Sequence, residues 1–349
     1  MSVPVPPWPA LLHTLLAGDD LEEEVAAGVM GLLMRGDVEP SQVAALLVAL
    51  RAKGESPGEV AGFVRAMLEA AVPLEPAATG AEHLLDIVGT GGDGAGTFNI
   101  STTSTFVVAA AGGRVAKHGN RSVSSSSGSA DVLEQAGVNL ELDPGQVARC
   151  VDEVGVGFMF APLHHSAMRH AIAPRREMGV RTLFNLLGPL TNPAGAPNLL
   201  LGVYDDHWVE PIAEVLHTLG AHHAMVVHSR DGLDEISIAA ATRVAELKAG
   251  RVTTYTIEPE ALGVTRGDLA TIRVASATES LALMKSVLDG GPGPARDITA
   301  LNAGAAIYAS GLSPTLEAGV ERAGQVLDSG AARQRLDALV TLTRSFKQA

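Results

Sequence analysis

The chain is poor in three things, and each narrows what it can be. It has one cysteine, Cys150, so no internal disulfide is open to it. It has no signal-type apolar stretch near its start and no apolar run of about 18 or more residues, the least that crosses a bilayer as a helix. Together these point to a reducing, cytoplasmic setting with no membrane partner. It is also short of cations: 25 Lys and Arg against 39 Asp and Glu leave a formal charge of −14. A field of that sign does not hold nucleic acid. An anionic small molecule stays open, because loops and bound cations set the potential inside a site.

What is present is an ordinary globular balance, 46% hydrophobic and 18% charged over 349 residues. That length suffices for one large domain or two smaller ones with a proper core. Cys150 sits in a helix-patterned stretch, QVARCVDEV, and reads as a packing residue. Residues 1–71 read as helices. Asp20 and Glu23 suggest a capping box before LEEEVAAGVMGLLM, which Gly36 stops. Pro40 suits the first turn of a second helix, running to about Lys53 and ending at Gly54. Ser56, Pro57 and Glu59 open a third, with Val60, Phe63, Val64, Met67 and Leu68 as one buried stripe. The expectation is a small helical domain over residues 1–80, closed by the linker 72–81. Its several apolar stripes also fit a dimer contact.

From residue 81 to 349 the pattern changes. Short apolar runs at Leu84–Val88, Arg114–Lys117, Gly157–Phe160, Leu199–Tyr204, Ala224–His228 and Val252–Ile257 alternate with helical ones such as Ile100–Ala111 and Ala130–Gln135. This is an α/β pattern, with a mostly parallel central sheet flanked by helices. Near residues 165–197 a helical excursion, stopped by Gly188-Pro189 and Asn192-Pro193, reads as packing back on the N-terminal helices. Long helices follow Glu279. There are no repeats, and Ser124–Ser127 is the only low-complexity patch.

The chemistry concentrates in two loops, each following a strand-like run and leading into a helix. In the first, five of the eight residues Gly89–Gly96 are glycine. Glycine serves where backbone must approach a ligand or take positive φ. Gly89, Gly91 and Gly94 match G-x-G-x-x-G, but a dinucleotide site wants an acid at the end of the second strand, where Lys117-His118 stands. A Walker A loop would need lysine in place of Thr97. Asp93 inside an anion-binding loop makes sense against hydroxyls or a metal ion. Asn99, Ile100, Ser101 and Thr102 suit an N-cap turn, and hydroxyls there also suit phosphate. The second loop opens with Lys117, His118, Gly119, Asn120 and Arg121, and Ser122 to Ser129 then supply up to six hydroxyls. Its cations and its place between regular elements argue against a plain flexible linker.

GTGGD at Gly89–Asp93, NIST at Asn99–Thr102, KHGNRSVSS at Lys117–Ser125, GSADVLE at Gly128–Glu134, RTLFNLLGPLTNP at Arg181–Pro193 and DGLDE at Asp231–Glu235 occur in this order. The chain thereby resembles the anthranilate phosphoribosyltransferase family over nearly its whole length. The resemblance implies the nucleoside phosphorylase-like phosphoribosyltransferase architecture and a homodimer formed through the helical domain. It implies transfer of phosphoribosyl from 5-phosphoribosyl 1-diphosphate (PRPP) to anthranilate in tryptophan synthesis, with a pair of magnesium ions in each active site. Position by position, it implies PRPP contacts at Gly89, Gly92, Asp93, Thr97, Asn99, Ile100, Ser101, Thr102, Lys117, His118, Gly119, Asn120, Arg121, Ser122, Val123, Ser124, Ser125 and Ser129. It implies anthranilate contacts at Gly89, Asn120 and Arg175, and metal contacts at Ser101, Asp234 and Glu235. Lys117 and Asp93 are the residues expected to carry catalysis. Ser126, and His165-Ser166 in place of His-Pro, depart from the family pattern without touching these positions.

Other groupings carry less. Asp205-Asp206 resembles the acidic pair of the type I phosphoribosyltransferases, but His207-Trp208-Val209-Glu210 cannot form their phosphate turn, so the pair reads as a helix N-cap. His164, His165 and His170 lack the i, i+4 spacing of a helical metal site and read as pocket wall or polar surface. Without the resemblance, Asp234-Glu235 could be a solvated turn and Arg175-Arg176 a solvated helix face. Two rival activities share parts of this reading. A pyrimidine nucleoside phosphorylase would not need Asp234-Glu235 or Asn120, and a non-catalytic nucleic-acid binder conflicts with the charge and the intact glycine loop.

Overall fold

The computed structural model of the protein describes residues 5–74, 81–122 and 127–346. Four helices come first: α1 (Trp8–Leu16), α2 (Glu23–Arg35), α3 (Pro40–Lys53) and α4 (Pro57–Glu69). Then follow β1 (Leu84–Gly89), α5 (Ile100–Ala110), β2 (Arg114–Gly119), α6 (Ser129–Ala136), α7 (Pro144–Val154) and β3 (Val156–Phe160). The excursion holds α8 (Ala161–His164), α9 (Arg169–Met178) and α10 (Phe184–Leu190). Next come β4 (Asn198–Gly202), α11 (Val209–Thr218), β5 (His223–Ser229), β6 (Thr242–Lys248) and β7 (Arg251–Ile257). The chain ends in α12 (Ala277–Leu288), α13 (Pro294–Ala309), α14 (Leu316–Ser329) and α15 (Ala331–Ser345).

The strands form one sheet in the order β3-β2-β1-β4-β5-β6-β7, parallel from β3 to β5 and antiparallel at β6 and β7. Strand alternation gives it two buried faces. Leu85, Ile87, Leu200, Met225 and Val227 join the core under α5, α13 and the C-terminal helices. Leu199, Leu201, Ala224 and Val226 join a second core shared with α11 and the N-terminal helices. Ala171, Leu183 and Phe184 of the excursion are buried in that second core, beside Val60 and Phe63. The chain runs outward from β1 to β3 and returns to β4 on the other side of β1. The β1/β4 boundary is therefore where strand order reverses, and ligands of open α/β sheets bind outside the carboxyl ends of the strands at such a point.

Three expectations need correction. Asp20 caps nothing: α2 starts one residue after Glu22, which makes no side-chain cap bond, and Asp20 pairs with Lys53 instead. The true organiser is Glu59, fully buried, whose carboxylate accepts from Leu21 N at 3.0 Å, Ser56 N at 2.8 Å and Lys53 Nζ at 2.9 Å. Of the pair Asp205-Asp206, Asp205 alone caps, accepting from His207 N, while Asp206 pairs with Arg243. Strand β6 was not foreseen, because Glu246 interrupts its apolar run. In the fold that carboxylate is satisfied by His223 Nε2 at 2.8 Å and by the hydroxyls of Tyr255 and Tyr308 at 2.9 and 2.7 Å. Cys150 is fully buried, as a packing residue should be.

Candidate active site

The carboxyl ends of β1 and β4 are paired at Gly89 and Gly202, and the Asp234-Glu235 turn lies across both. A Cβ on Gly89 would stand 2.5 Å from Asp234 Oδ2, and one on Gly202 would collide with the Asp234 carbonyl. Only glycine lets the acidic turn sit there. The glycine loop is tied at its start, where Thr90 N donates to Gly202 O at 2.9 Å and Tyr204 N donates to Thr90 Oγ1 at 2.9 Å. It is tied at its end by Val274 N to Gly96 O and Phe98 N to Ile272 O, with Thr97 bridged to Arg273.

The acids occupy backbone donors of this loop. Gly91 N donates to Asp234 Oδ2 at 2.7 Å, and Ser101 N, in the first turn of α5, donates to Glu235 Oε1 at 3.2 Å. Asp93 accepts from Ala95 N at 3.1 Å, and its carboxylate is among the groups that raise the pKa of Asp234. Burial, then neighbouring carboxylates, push both Asp234 and Glu235 well above the usual carboxylate range. Lys117 is 3% exposed; its Nζ donates to Ile87 O and to Ser101 Oγ at 3.3 Å. Burial lowers its pKa against the pull of Asp86, Glu235 and Asp234. Its charge thus lies beneath the start of α5 rather than projecting from the strand end.

Asn99 stands at the N-cap of α5, but its side chain does not cap. It accepts from Ser280 Oγ at 2.7 Å and Ser127 Oγ at 3.0 Å, and donates to Ser127 O, so it joins the glycine loop to the second loop and to α12. Ile100 and Thr102 are buried in the first turn of α5.

Next to Lys117, His118 points to the other face. Its ring meets His165 edge-on at 5.0 Å, and burial, with the neighbouring imidazoles, lowers its pKa to about 3, so it is neutral. His118 N donates to Asp86 Oδ1, whose carboxyl also accepts from Asn192 Nδ2 at 2.6 Å. His164 and His165 are buried and bonded to the carbonyls of Val72 and Thr191, so they are not polar surface. Beyond the strand, Gly119 packs on Ser129 and Phe158, and Asn120 accepts at its side chain from Arg121 N at 2.8 Å. Arg121 is engaged by Glu134 and Asp131, and Ser122 N by Asp131. Ser129 Oγ donates to Asn120 O. Val123, Ser124 and Ser125 lie outside the described residues. Arg175 of α9 is partly buried, its guanidinium 4.9 Å over the Phe184 ring. Among the described residues it has no acidic partner.

The fold therefore gathers Gly89, Gly92, Asp93, Ser101, Lys117, Asp234 and Glu235 at one strand end, with Asn99 bracing the second loop. It commits Arg121 to Asp131 and Glu134 of α6. Asp86, Asn192, Arg181 and Ser280 were missed. Arg181 and Asn192 lie inside a motif quoted above and Asp86 inside the run Leu84–Val88, so a polar residue in an otherwise apolar strand or turn was the available signal. Ser280 had none.

Two family models match the chain: the glycosyl transferase family helical bundle domain at residues 9–71 and its a/b domain at residues 81–333. The anthranilate phosphoribosyltransferase of Thioalkalivibrio sulfidiphilus is 60% identical over 326 residues, 93% of this chain and 96% of that protein. The chain belongs to the anthranilate phosphoribosyltransferase family. The enzyme of that name from Methylococcus capsulatus is 58% identical, over 97% of this chain and 98% of its own. Among solved structures, the anthranilate phosphoribosyltransferase of Thermus thermophilus superposes with a TM-score of 0.90 at 47% identity, covering 95% of this chain and 99% of its own. The Saccharomyces cerevisiae enzyme, solved in complex with PRPP and Mg, gives 0.85 at 25% identity, over 97% and 98%. As in that family, a small helical domain here accompanies a larger, mostly parallel α/β domain. The phosphorylase and nucleic-acid readings find no support among these anthranilate phosphoribosyltransferases.

Proposed function

We propose that this site joins the amine of anthranilate to C1 of PRPP and releases pyrophosphate, in tryptophan synthesis. The observation that carries the proposal is the acidic turn seated on loop N–H groups at the β1/β4 switch point. The donor set fits magnesium: Asp93, Asp234 and Glu235 are hard oxygen ligands crowded together, and their repulsion would be relieved by a divalent cation. Among the described residues no three such side chains already converge on one point, so substrate oxygens and water would complete the coordination. Asp234, Glu235 and Ser101 are assigned to the metal, as a site for two ions. Bound magnesium supplies neutralisation of charge on the pyrophosphate leaving group.

The protein's own part is positioning. With the acids holding a cation, the N–H groups of Gly91 and Ser101 would be free to donate to phosphate and ribose oxygens. Asp93 orients ribose hydroxyls, and Lys117 adds positive potential from beneath Ser101. Asn99, with Ser127 and Ser280, holds the second loop, whose residues from His118 to Ser129 are assigned to PRPP. Arg175 takes the anthranilate carboxylate, with Asn120 beside it and Gly89 between the two substrates. An aromatic amine is itself a nucleophile, so no strong base is required, and alignment carries much of the rate. We further assign residues 1–80 and 81–349 to the two domains, a homodimer through the helical one, and a cytoplasmic setting. Loss of anthranilate fluorescence with PRPP and magnesium tests the reaction, with thymidine phosphorolysis as the control. Full activity in excess chelator would sink the metal assignment.

A further inference from the structure

Between residues 92 and 95 the glycine loop has one backbone group bonded to another element among the described residues. It is the Gly92 carbonyl, and its partner is Arg181 Nη2. Arg181 leaves the excursion just after α9 and crosses to the loop with its guanidinium 4.9 Å over the Tyr204 ring. Tyr204 in turn fixes the start of the same loop through its backbone N on Thr90 Oγ1. A Cβ on Gly92 would press on the guanidinium at 3.2 Å. Arg181 has no acidic partner among the described residues, so its side chain is given wholly to the ring and the carbonyl.

We propose that Arg181 is a positioning residue for the transfer: it holds the glycine loop in the shape that receives PRPP, and it does so from the segment that carries Arg175. A trans peptide is planar, so a carbonyl held toward Arg181 turns the following N–H, that of Asp93, to the opposite side. Fixing one carbonyl therefore fixes the direction of a donor at the middle of the loop. A planar guanidinium stacked on a ring does this with less freedom to lose than an ammonium. The excursion packs on the helical domain while its Arg181 grips the loop, so the loop is held from outside the sheet that carries it.

This rests on the reading of the glycine loop as the PRPP site, and kinetics of four proteins separate the two. Wild-type turnover of PRPP with anthranilate supports that reading; its absence overturns the reading and this inference with it. Given turnover, Arg181→Ala should raise the KM for PRPP about tenfold, the order of one charged hydrogen bond at a solvated site, while the KM for anthranilate stays within about threefold. Arg181→Lys should recover part of the loss, because it can donate but not stack. Tyr204→Leu, which keeps the backbone bond to Thr90, should shift the PRPP KM the same way by less. An unchanged PRPP KM in Arg181→Ala overturns the inference. So does an equal rise in both KM values with a lower melting temperature, which is what a mere brace would give.

Discussion

Lys117 and His118 are neighbours on β2, yet strand alternation delivers them to opposite chemistries. Lys117 goes under α5, among Ser101, Glu235 and Asp234, where charge is gathered. His118 goes to the excursion side, edge-on to His165, where burial keeps the ring neutral. The charged side suits a polyanion that brings cations, and the neutral side, although His118 itself is expected against PRPP, borders the excursion that carries Arg175.

If the division is real, variants on the two sides should damage different kinetic constants. Asp234→Asn, on the charged side, should cut kcat about a hundredfold or more, because stabilisation of the leaving group is a transition-state term. Arg175→Ala, on the neutral side, should raise the KM for anthranilate by ten- to a hundredfold, roughly 2 kcal/mol for a partly buried ion pair, and leave the KM for PRPP nearly alone. Steady-state kinetics with each substrate varied would decide. If both variants moved the same constant, there would be one mixed site rather than two sides.

The sheet and its crevice were legible because short apolar runs ending in glycine loops are a local signal. The Asp234-Glu235 turn was marked as a site only through the family resemblance, since its reach to Gly91 of the glycine loop spans 143 positions. What stayed hidden depends on distant pairing. Glu246 looked unfit for a strand until His223, Tyr255 and Tyr308 were folded around it. Asp20 looked like a cap, but Lys53 and Glu59 decide that corner. The direction of Lys117 could not be read either, since only the assembled sheet shows that its amine lies beneath Ser101.

A second way to break the comparison is acid. Burial and the adjacent imidazoles hold His118 at about 3 in the folded chain, while an unfolded histidine titrates near 6.5. As pH falls, the unfolded chain takes the proton first. The stability of a neutral His118 is therefore fully present above pH 6.5 and is lost as pH falls toward 3, about 2 kcal/mol by pH 5. Asp86 works against this. Its folded pKa is raised to about 6 by burial, so below that pH the folded state gains a proton before the unfolded one does. His118→Gln removes the first effect and keeps the second. Between pH 7.5 and 5 the variant should gain about 2 kcal/mol relative to wild type in urea unfolding. An identical pH response in both proteins would mean that His118 is charged in the fold, and the neutral side would not exist.

The smallest effect compares two glycines rather than two faces. Gly92 sits at φ +81° with Arg181 beside it, and Gly62 of α4 sits where a Cβ would collide with the Glu23 carbonyl of α2. The sequence suggested that Gly92 is needed for close approach of a phosphate; the fold adds its left-handed backbone, which alanine adopts at a cost of about 1–2 kcal/mol. The backbone of residues 92–95 is bonded to other elements only through the Gly92 carbonyl among the described residues, so the loop can relieve that strain by shifting; Gly92→Ala should then raise the KM for PRPP about fivefold and barely change the melting temperature. Gly62→Ala lies in a packed interface, where overpacking costs about 1–3 kcal/mol, so it should lower the melting temperature and leave both KM values of the surviving folded enzyme unchanged. Thermal unfolding and kinetics on the same two preparations give the answer. If Gly92→Ala lost stability and kept its PRPP KM, the loop would be part of the scaffold, and the phosphate contacts would have to lie elsewhere at the strand ends.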